Sequence, residues 1–138
     1  MYKTILVTLD STPTDRAIIN HIKSLAKQMR SRVVLFHVIT SVPAKIHGQA
    51  AAGPEVQAGE TYLSNIQAEF ATAGITAEAE LAYGDPVKEI VNWVQQNGCD
   101  LVAMSTHGHQ FVAGLVLGKT AIKVQHSLSV PVLMLRAK

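Results

Sequence analysis

The segment "MSTHGHQFVAGLVLGKT" at 104–120 contains residue types that hold phosphate, because its last three residues match the end of a P-loop. A P-loop has four residues between its first glycine and the Gly-Lys-Thr triplet. Here Gly114 is followed by only three residues before Gly118. The segment also lies near the C-terminus, whereas a P-loop joins a strand to a helix early in its fold. Spacing and position exclude a P-loop and leave open whether Gly118, Lys119 and Thr120 bind phosphate in another way.

Other reactive side chains form no recognisable catalytic or metal-binding set. His107 and His109 are close in sequence, but no cysteine or carboxylate lies beside them, so loop histidines are the simpler interpretation. His37 falls inside an apolar run and is expected to be a hydrogen-bonded core histidine. No serine, histidine and carboxylate form a nucleophile motif, and no carboxylate pair can be placed across a cleft. The sequence therefore names no catalytic residue and no metal ligand, and it favours a binding module over an enzyme.

Composition restricts the class of protein. With 138 residues, 48% of them hydrophobic and 16% charged, the chain fits a single domain over 1–138 that buries a core without disulfides. A net charge of +2 with scattered basic residues does not indicate nucleic-acid binding. The single cysteine, Cys99, fits a reducing compartment. No segment has the roughly 18 apolar residues of a membrane span. We therefore expect a cytoplasmic protein with no membrane and no nucleic-acid partner.

Short β-branched apolar runs alternate with amphipathic stretches along the chain. "TILVTL" predicts a buried strand that ends at Asp10, and "STPTD" predicts a helix with Thr12 as its cap and Pro13 at its first position. "VVLFHVI" predicts a second strand, and residues 40–54 predict a flexible loop. The first helix is expected to bury a face that consists of Ile18, Ile22, Leu25 and Met29. The second helix is expected to extend from about Glu55 to Ala73 and to bury Val56, Leu63, Ile66 and Phe70.

The second half of the chain continues the alternation. "ITAEAELA" alternates apolar and polar residues and predicts an edge strand with one solvated face. Asp85 and Pro86 predict the start of a third helix that Gly98 ends, with a core face of Ile90, Val91 and Val94. "DLVAM" predicts a central strand, residues 118–127 a helix, and "VPVLMLR" a last strand in which Pro131 indicates a second edge.

This alternation predicts a three-layer α/β/α sandwich around a parallel five-stranded sheet. The order 2-1-3-4-5 would place the second strand at an edge, although that strand is apolar on both faces. The order 3-2-1-4-5 places the half-solvated third strand and the proline-containing fifth strand outside, so we predict it. Winding then reverses between strands one and four, and ligands of such sheets bind at that switch point. The predicted ligand site therefore includes Leu9 and Asp10 and also Met104 and Ser105.

These motifs together resemble the universal stress protein family along essentially the whole chain. The blocks "ILVTLD", "FHV", "GDPVKEIV", "CDLVAMSTHG" and "VPVLMLR" are similar to the strands and helices of that family, in order. Its nucleotide-binding members carry glycine, two residues, glycine, nine residues, glycine, and then serine or threonine. Ser105, Gly108, Gly118 and Lys119 occupy these four positions here. Ser105 and Lys119 thus depart from the pattern.

The resemblance implies ATP or another adenine nucleotide at the switch point, with Mg²⁺ only as a companion of the nucleotide. It implies that Asp10 meets the ribose, that Leu9 and Val38 lie near the adenine, and that backbone N–H groups at the start of a helix hold the phosphates. The resemblance extends this site to Met104, Ser105, Gly108, Gly118, Lys119 and Thr120.

Three functions stay open at this point. The preferred one is an adenine-nucleotide-binding stress-response or signalling module. The alternatives are a nucleotide-free interaction protein that acts through its dimer surface and a weak ATP hydrolase. The resemblance also implies a homodimer formed through the C-terminal strand, whose unpaired edge could pair with a second copy.

Overall fold

Strands and helices alternate in the computed structural model, which describes residues 1–40, 53–107 and 120–137. The predicted loop at 41–52 and the glycine-rich segment at 108–119 lie outside the described residues. In chain order the elements are β1 (Thr4–Leu9), α1 (Asp15–Met29), β2 (Arg32–Ile39), α2 (Gly53–Thr72), β3 (Ala77–Tyr83), α3 (Pro86–Asn97), β4 (Leu101–His107), α4 (120–127) and β5 (Val132–Ala137).

The five strands form one parallel sheet in the order β3-β2-β1-β4-β5, which confirms the predicted order. β3 lies at one edge, and its residues Glu78 and Glu80 are exposed, because a strand with a single neighbour needs only one apolar face. β5 lies at the other edge and begins directly after Pro131, whose missing N–H would interrupt a central ladder. The two edge assignments made from sequence are therefore correct.

Alternate residues of the central strands supply two separate cores, one on each face of the sheet. Ile5 and Val7 of β1 pack with α1 and α2, whereas Leu6 packs on the opposite face with α3 and α4. On that second face Trp93 contacts Phe36 with ring centroids 6.2 Å apart. This alternation gives the predicted three-layer α/β/α sandwich, because a parallel sheet covered by helices buries both of its faces.

Helices α2 and α3 follow the predicted signals closely. α2 begins at Gly53, two residues before the predicted start, and buries Val56, Leu63, Ile66 and Phe70 as expected. Asp85 caps α3 by accepting a hydrogen bond from the Lys88 N–H at 2.9 Å. Pro86 is its first residue, and Gly98 ends it with a φ of 79°, a left-handed value that favours glycine. No helix in the described part of the chain is long and apolar enough to cross a membrane.

The start of α1 corrects the prediction. The helix begins at Asp15, after a tight turn in which the Asp15 N–H donates to the Thr12 carbonyl at 3.0 Å. Thr12 does not cap it, because the Thr12 hydroxyl donates instead to Oδ1 of Asp10 at 2.6 Å. The buried face is also rotated from the predicted one, since it consists of Ile18, Ile19, Ile22 and Ala26, and Met29 is 36% exposed.

Candidate functional site

A cleft opens where β1 and β4 separate at their carboxyl ends. The ladder between β1 and β2 continues to the pair Leu9 and His37, whereas the ladder between β1 and β4 ends at Val7 and Ala103. Beyond that pair the strands border a cleft of about 290 Å³. Its lining residues come from β1, β2, β4 and the starts of three helices: Thr8, Leu9, Asp10, Asp15, Phe36, His37, Val38, Thr40, Pro86, Ile90, Met104, Ser105 and Thr120. The cleft therefore lies at the predicted switch point.

Six of the nine predicted site residues line this one cleft. They are Leu9, Asp10, Val38, Met104, Ser105 and Thr120. Gly108, Gly118 and Lys119 lie outside the described residues, so their contacts stay predictions. The structure also brings in two residues that the sequence analysis did not assign to the site, Asp15 and His37.

The Asp15 carboxylate stabilises the turn between β1 and α1 by accepting hydrogen bonds from its backbone. Its Oδ1 accepts the Asp10 N–H at 3.1 Å, and its Oδ2 accepts the Ser11 N–H at 2.9 Å. Ser11 has a φ of 65°, a left-handed conformation that a residue with a side chain adopts only at a cost. The two hydrogen bonds offset that cost, and the turn orients the side chain of Asp10. Oδ1 of Asp10 accepts hydrogen bonds from both the N–H and the hydroxyl of Thr12.

Asp15 is also one half of a carboxyl pair. Its side chain is only 2% exposed, and burial together with the like charge of Asp10 raises the pKa of Asp15 from 3.8 to about 7. The sequence predicts no carboxylate pair across a cleft, and in the structure Asp10 and Asp15 lie beside each other rather than on opposite sides of it. Asp15 looked like an ordinary first-turn residue of a helix, and only the sharp turn at Ser11 brings it back beside Asp10. The cleft thus contains a carboxyl group whose charge changes near neutral pH.

Helix α2 contributes the third donor to this buried carboxylate. The Tyr62 hydroxyl donates to Oδ2 of Asp15 at 2.5 Å. Burial, followed by the bond to Asp15, raises the pKa of Tyr62, so the phenol stays neutral and keeps its proton for this bond. Arg16, the residue after Asp15, forms a bidentate ion pair with Glu69, with N–O distances of 2.8 and 2.9 Å. These contacts join the start of α1 to α2 around the carboxyl pair.

His37 lies on β2, directly beside Leu9 of β1 in the sheet. Its Nδ1 lies 2.9 Å from the Leu9 carbonyl oxygen. A carbonyl can only accept, so Nδ1 carries a hydrogen in this bond, an assignment that follows from the hydrogen-bond network. His37 is therefore hydrogen-bonded as the sequence analysis expected, but it is half-buried and borders the cleft rather than the core.

Ser105 presents an unusual polar group at the end of β4. Its hydroxyl oxygen is shielded from solvent, and no group in the described ranges forms a hydrogen bond with it. A buried hydroxyl without a partner costs about 1–3 kcal/mol. A hydrogen-bond partner at this edge of the cleft would remove that cost.

The chemistry of the cleft suits binding. Leu9, Phe36, Val38, Ile90 and Met104 give it apolar walls, and a carboxyl pair and an imidazole lie at its margin. Such walls suit a flat, weakly polar ring, and a carboxylate accepts hydrogen bonds from hydroxyl groups. Among the described residues no group of three or more histidine, cysteine or acidic side chains could hold a metal ion.

Known proteins resemble this chain over its whole length. The model of the universal stress protein family matches residues 1–136. Universal stress protein MJ0577 of Methanocaldococcus jannaschii is 26% identical over 157 residues, which cover 100% of this chain and 97% of that protein. The solved structure of MJ0577 has a TM-score of 0.85 and covers 100% of this chain and 98% of its own.

Two more distant structures contain nucleotides. A universal stress protein in complex with cAMP has a TM-score of 0.80 at 17% identity and covers 99% of both chains. The universal stress protein from Archaeoglobus fulgidus in complex with dAMP has a TM-score of 0.69 at 16% identity, and it covers 96% of this chain and 97% of its own. At these identities the likeness shows a shared fold.

The raised pKa of Asp15 predicts how stability depends on pH. Between about pH 4 and 7 the folded protein binds more protons at Asp15 than the unfolded chain does, so the free energy of unfolding falls as pH rises through this range. At about 1.4 kcal/mol for each pKa unit, the shift from 3.8 to about 7 limits this loss to roughly 4 kcal/mol. Urea unfolding of the parent and of Asp15→Asn at several pH values measures it, and the variant should show a flatter dependence.

Asp100→Asn is the matched control. Asp100 accepts the Lys3 and Thr4 N–H groups, both at 2.8 Å, at the other end of β1. Burial acts to raise the pKa of Asp100, but these N–H groups outweigh burial and lower it. Asp100 therefore stabilises the protein at neutral pH and loses this effect as the pH falls. Identical pH profiles for the parent and Asp15→Asn would contradict the prediction.

Proposed function

Because this chain belongs to the universal stress protein family, we propose that it binds an adenine nucleotide in the cleft between β1 and β4 and serves in stress response or signalling as a homodimer. The observation that carries the proposal is the position of Asp10, which the β1–α1 turn holds at the edge of an apolar cleft at the switch point. In such sheets this position is where nucleotides bind.

The cleft offers separate surfaces for the parts of a nucleoside. Leu9, Phe36 and Val38 supply an apolar wall for the adenine ring. The Asp10 carboxylate can accept hydrogen bonds from ribose hydroxyls, which are donors that a phosphate or a base carbonyl lacks. The nucleotides in two structures of the same fold support this choice of ligand, although those proteins are less than 20% identical to this chain.

The phosphates would extend toward the start of α4. Thr120 borders the cleft there, and a helix N-terminus offers N–H groups and the positive end of a dipole. We assign Gly108, Gly118 and Lys119 to this part of the site on the family pattern. Ser105, whose hydroxyl has no hydrogen-bond partner among the described residues, lies near the carboxyl end of β4 and borders the same cleft. ATP is the preferred candidate, because a lysine beside the helix start would complement several phosphate charges.

β5 is the proposed dimer surface. Leu133 and Leu135 pack onto the core of their own chain, whereas Met134 is 37% exposed. Only β4 pairs with β5 among the described strands, so one row of its backbone groups faces outward. An edge of this kind can pair with a second copy of the chain.

We predict that freshly purified protein releases an adenine nucleotide on denaturation, detected by mass spectrometry. We also predict that Asp10→Ala weakens adenosine binding at least tenfold, because hydrogen bonds to a charged group contribute about 1.5–3 kcal/mol. Calorimetry measures this loss. Glu60→Ala, which removes an exposed carboxylate on α2 outside the cleft, should bind as the parent does. Absence of both a released nucleotide and adenosine binding would favour the nucleotide-free interaction protein.

Lys119 has a separate role in the proposal. A lysine–phosphate contact at a partly exposed site contributes about 1–2 kcal/mol, so Lys119→Ala should weaken ATP binding roughly tenfold, with a smaller loss at higher salt. Adenosine should bind the variant and the parent alike, because it carries no phosphate. Lys119→Ser restores the hydroxyl of the family pattern and should recover part of the ATP affinity. Equal ATP affinity of the parent and Lys119→Ala by calorimetry would contradict this role.

The dimer can be tested by light scattering at micromolar concentration. Met134→Glu places a charge on β5 and should shift the parent dimer toward monomer, because an unpaired charge in an interface is costly. Met29→Glu is the matched control, since Met29 is 36% exposed, almost as much as Met134, but lies at the end of α1 and not on β5. A monomeric parent would remove the proposal of a dimer.

A further inference from the structure

We propose that Asp15 makes the cleft pH-sensitive, so that an anionic nucleotide binds more tightly when Asp15 carries a proton than when it is ionised. The inference rests on the proposed nucleotide binding and adds its regulation. It starts from a geometrical fact: Asp15 borders the cleft, yet its side chain is only 2% exposed, and it lies beside a second carboxyl group, that of Asp10.

Each group around Asp15 has an assigned part. Asp10 brings a like charge from the turn, and the Tyr62 hydroxyl donates from α2. Arg16, the next residue of α1, forms a bidentate ion pair with Glu69 of α2, and this pair compensates the charge of Arg16. His37, on β2, borders the same cleft and is the one ionisable side chain besides the two carboxyl groups among the described residues that line it. Asp15 and His37 are thus the two groups whose roles the test must separate.

The electrostatics follow from these positions. With Asp15 ionised, an anionic ligand in the cleft meets two negative carboxylates, and buried charges are poorly screened by solvent and salt. With Asp15 protonated, it meets only that of Asp10. Binding of the anion therefore favours the protonated form of Asp15, so Asp15 takes up a fraction of a proton near neutral pH and its pKa rises further on binding. Since that pKa is about 7 before binding, the affinity should change within the physiological range of pH.

The hydrogen bonds of Asp15 can be kept when Asp15 is protonated, so the turn keeps its conformation. Asp15 accepts from three donors through two oxygens, and one of the three is the Tyr62 hydroxyl, which can rotate. A protonated Asp15 oxygen can donate to the Tyr62 oxygen while the carboxyl group still accepts the Asp10 and Ser11 N–H groups. The change in affinity then comes mainly from charge, with the backbone of the turn kept in place.

The test uses two probes of the same base and sugar. cAMP is a phosphodiester with one negative charge that does not titrate near neutral pH, and adenosine is uncharged. Calorimetry with the parent should show cAMP binding roughly tenfold more weakly at about pH 8.5 than at about pH 5.5, which corresponds to a one-unit rise in the pKa of Asp15 on binding. Adenosine affinity should change by less than about threefold over the same range, because the ligand carries no charge to repel.

Variants identify the responsible group. Asp15→Asn keeps the size of the side chain and one accepting oxygen but cannot ionise, so its cAMP affinity should be nearly independent of pH. Asp100→Asn should keep the pH dependence of the parent, because Asp100 accepts two N–H groups at the opposite end of β1 and does not border the cleft. His37→Asn should also keep most of the dependence, since an asparagine amide can donate to the Leu9 carbonyl in place of Nδ1.

A measurement on the parent alone guards against a variant that folds poorly. The carboxyl ¹³C resonance of Asp15 reports its pKa by NMR, and that pKa should be well above the ordinary value in the free protein and rise by about one unit with cAMP. An unchanged pKa with cAMP bound would overturn the inference.

The binding results also distinguish this inference from the proposed function. Binding of cAMP with equal affinity at all pH values would overturn the inference and leave nucleotide binding standing, whereas absence of binding of both probes at every pH would overturn both. A pH dependence that survives in Asp15→Asn and disappears in His37→Asn would assign the effect to the histidine and overturn the role of Asp15. Equal losses for cAMP and adenosine would indicate a change of the turn, which also overturns the charge mechanism.

Discussion

The carboxylate of Asp15 fixes the turn that follows β1, and the shape of the cleft depends on this interaction. Two backbone N–H groups and the Tyr62 hydroxyl donate hydrogen bonds to it. One of the N–H groups belongs to Ser11, which has a left-handed φ that few residues with a side chain adopt. Because the turn is held in this way, Asp10 stays at the carboxyl end of β1, beside the cleft. A carboxyl group suits this task, because its two oxygens can accept hydrogen bonds from several donors at once.

Comparison with Asp100 shows how much the surroundings decide. Both aspartates accept two N–H groups at an end of β1, yet the pKa of Asp100 is lowered and that of Asp15 is raised. Asp100 lies near the surface and has no carboxylate beside it, whereas Asp15 is buried next to Asp10. The same kind of backbone contact thus holds Asp100, which is ionised at neutral pH, at the end of β1 far from the cleft. At the cleft it holds Asp15, whose charge changes near neutral pH.

The cleft itself is a consequence of sheet topology. β1 is the central strand, and its two neighbours lead to helices on opposite faces of the sheet, so the direction of winding reverses at the point where β1 and β4 separate. Apolar residues from both faces of the sheet line the cleft at this point, next to the polar residues that follow the strands. The cleft therefore combines apolar walls with polar groups at the strand ends. Where the family pattern has glycine, this chain has Ser105, whose side chain borders the cleft at the carboxyl end of β4.

The sequence by itself determined the fold and the location of the cleft. Apolar periods and turn residues predicted the strand order, the two edge strands and the Asp85 cap, because each depends on a local pattern that the surroundings reinforce. The start of α1, the exposure of Met29 and the carboxyl pair required the tertiary structure. A left-handed residue at position 11 bends the chain so that Asp15 returns to Asp10, and the Tyr62 hydroxyl reaches Asp15 only after α2 packs on the sheet. Burial and the proximity of charges from different elements set a pKa, and a linear pattern of residues specifies neither.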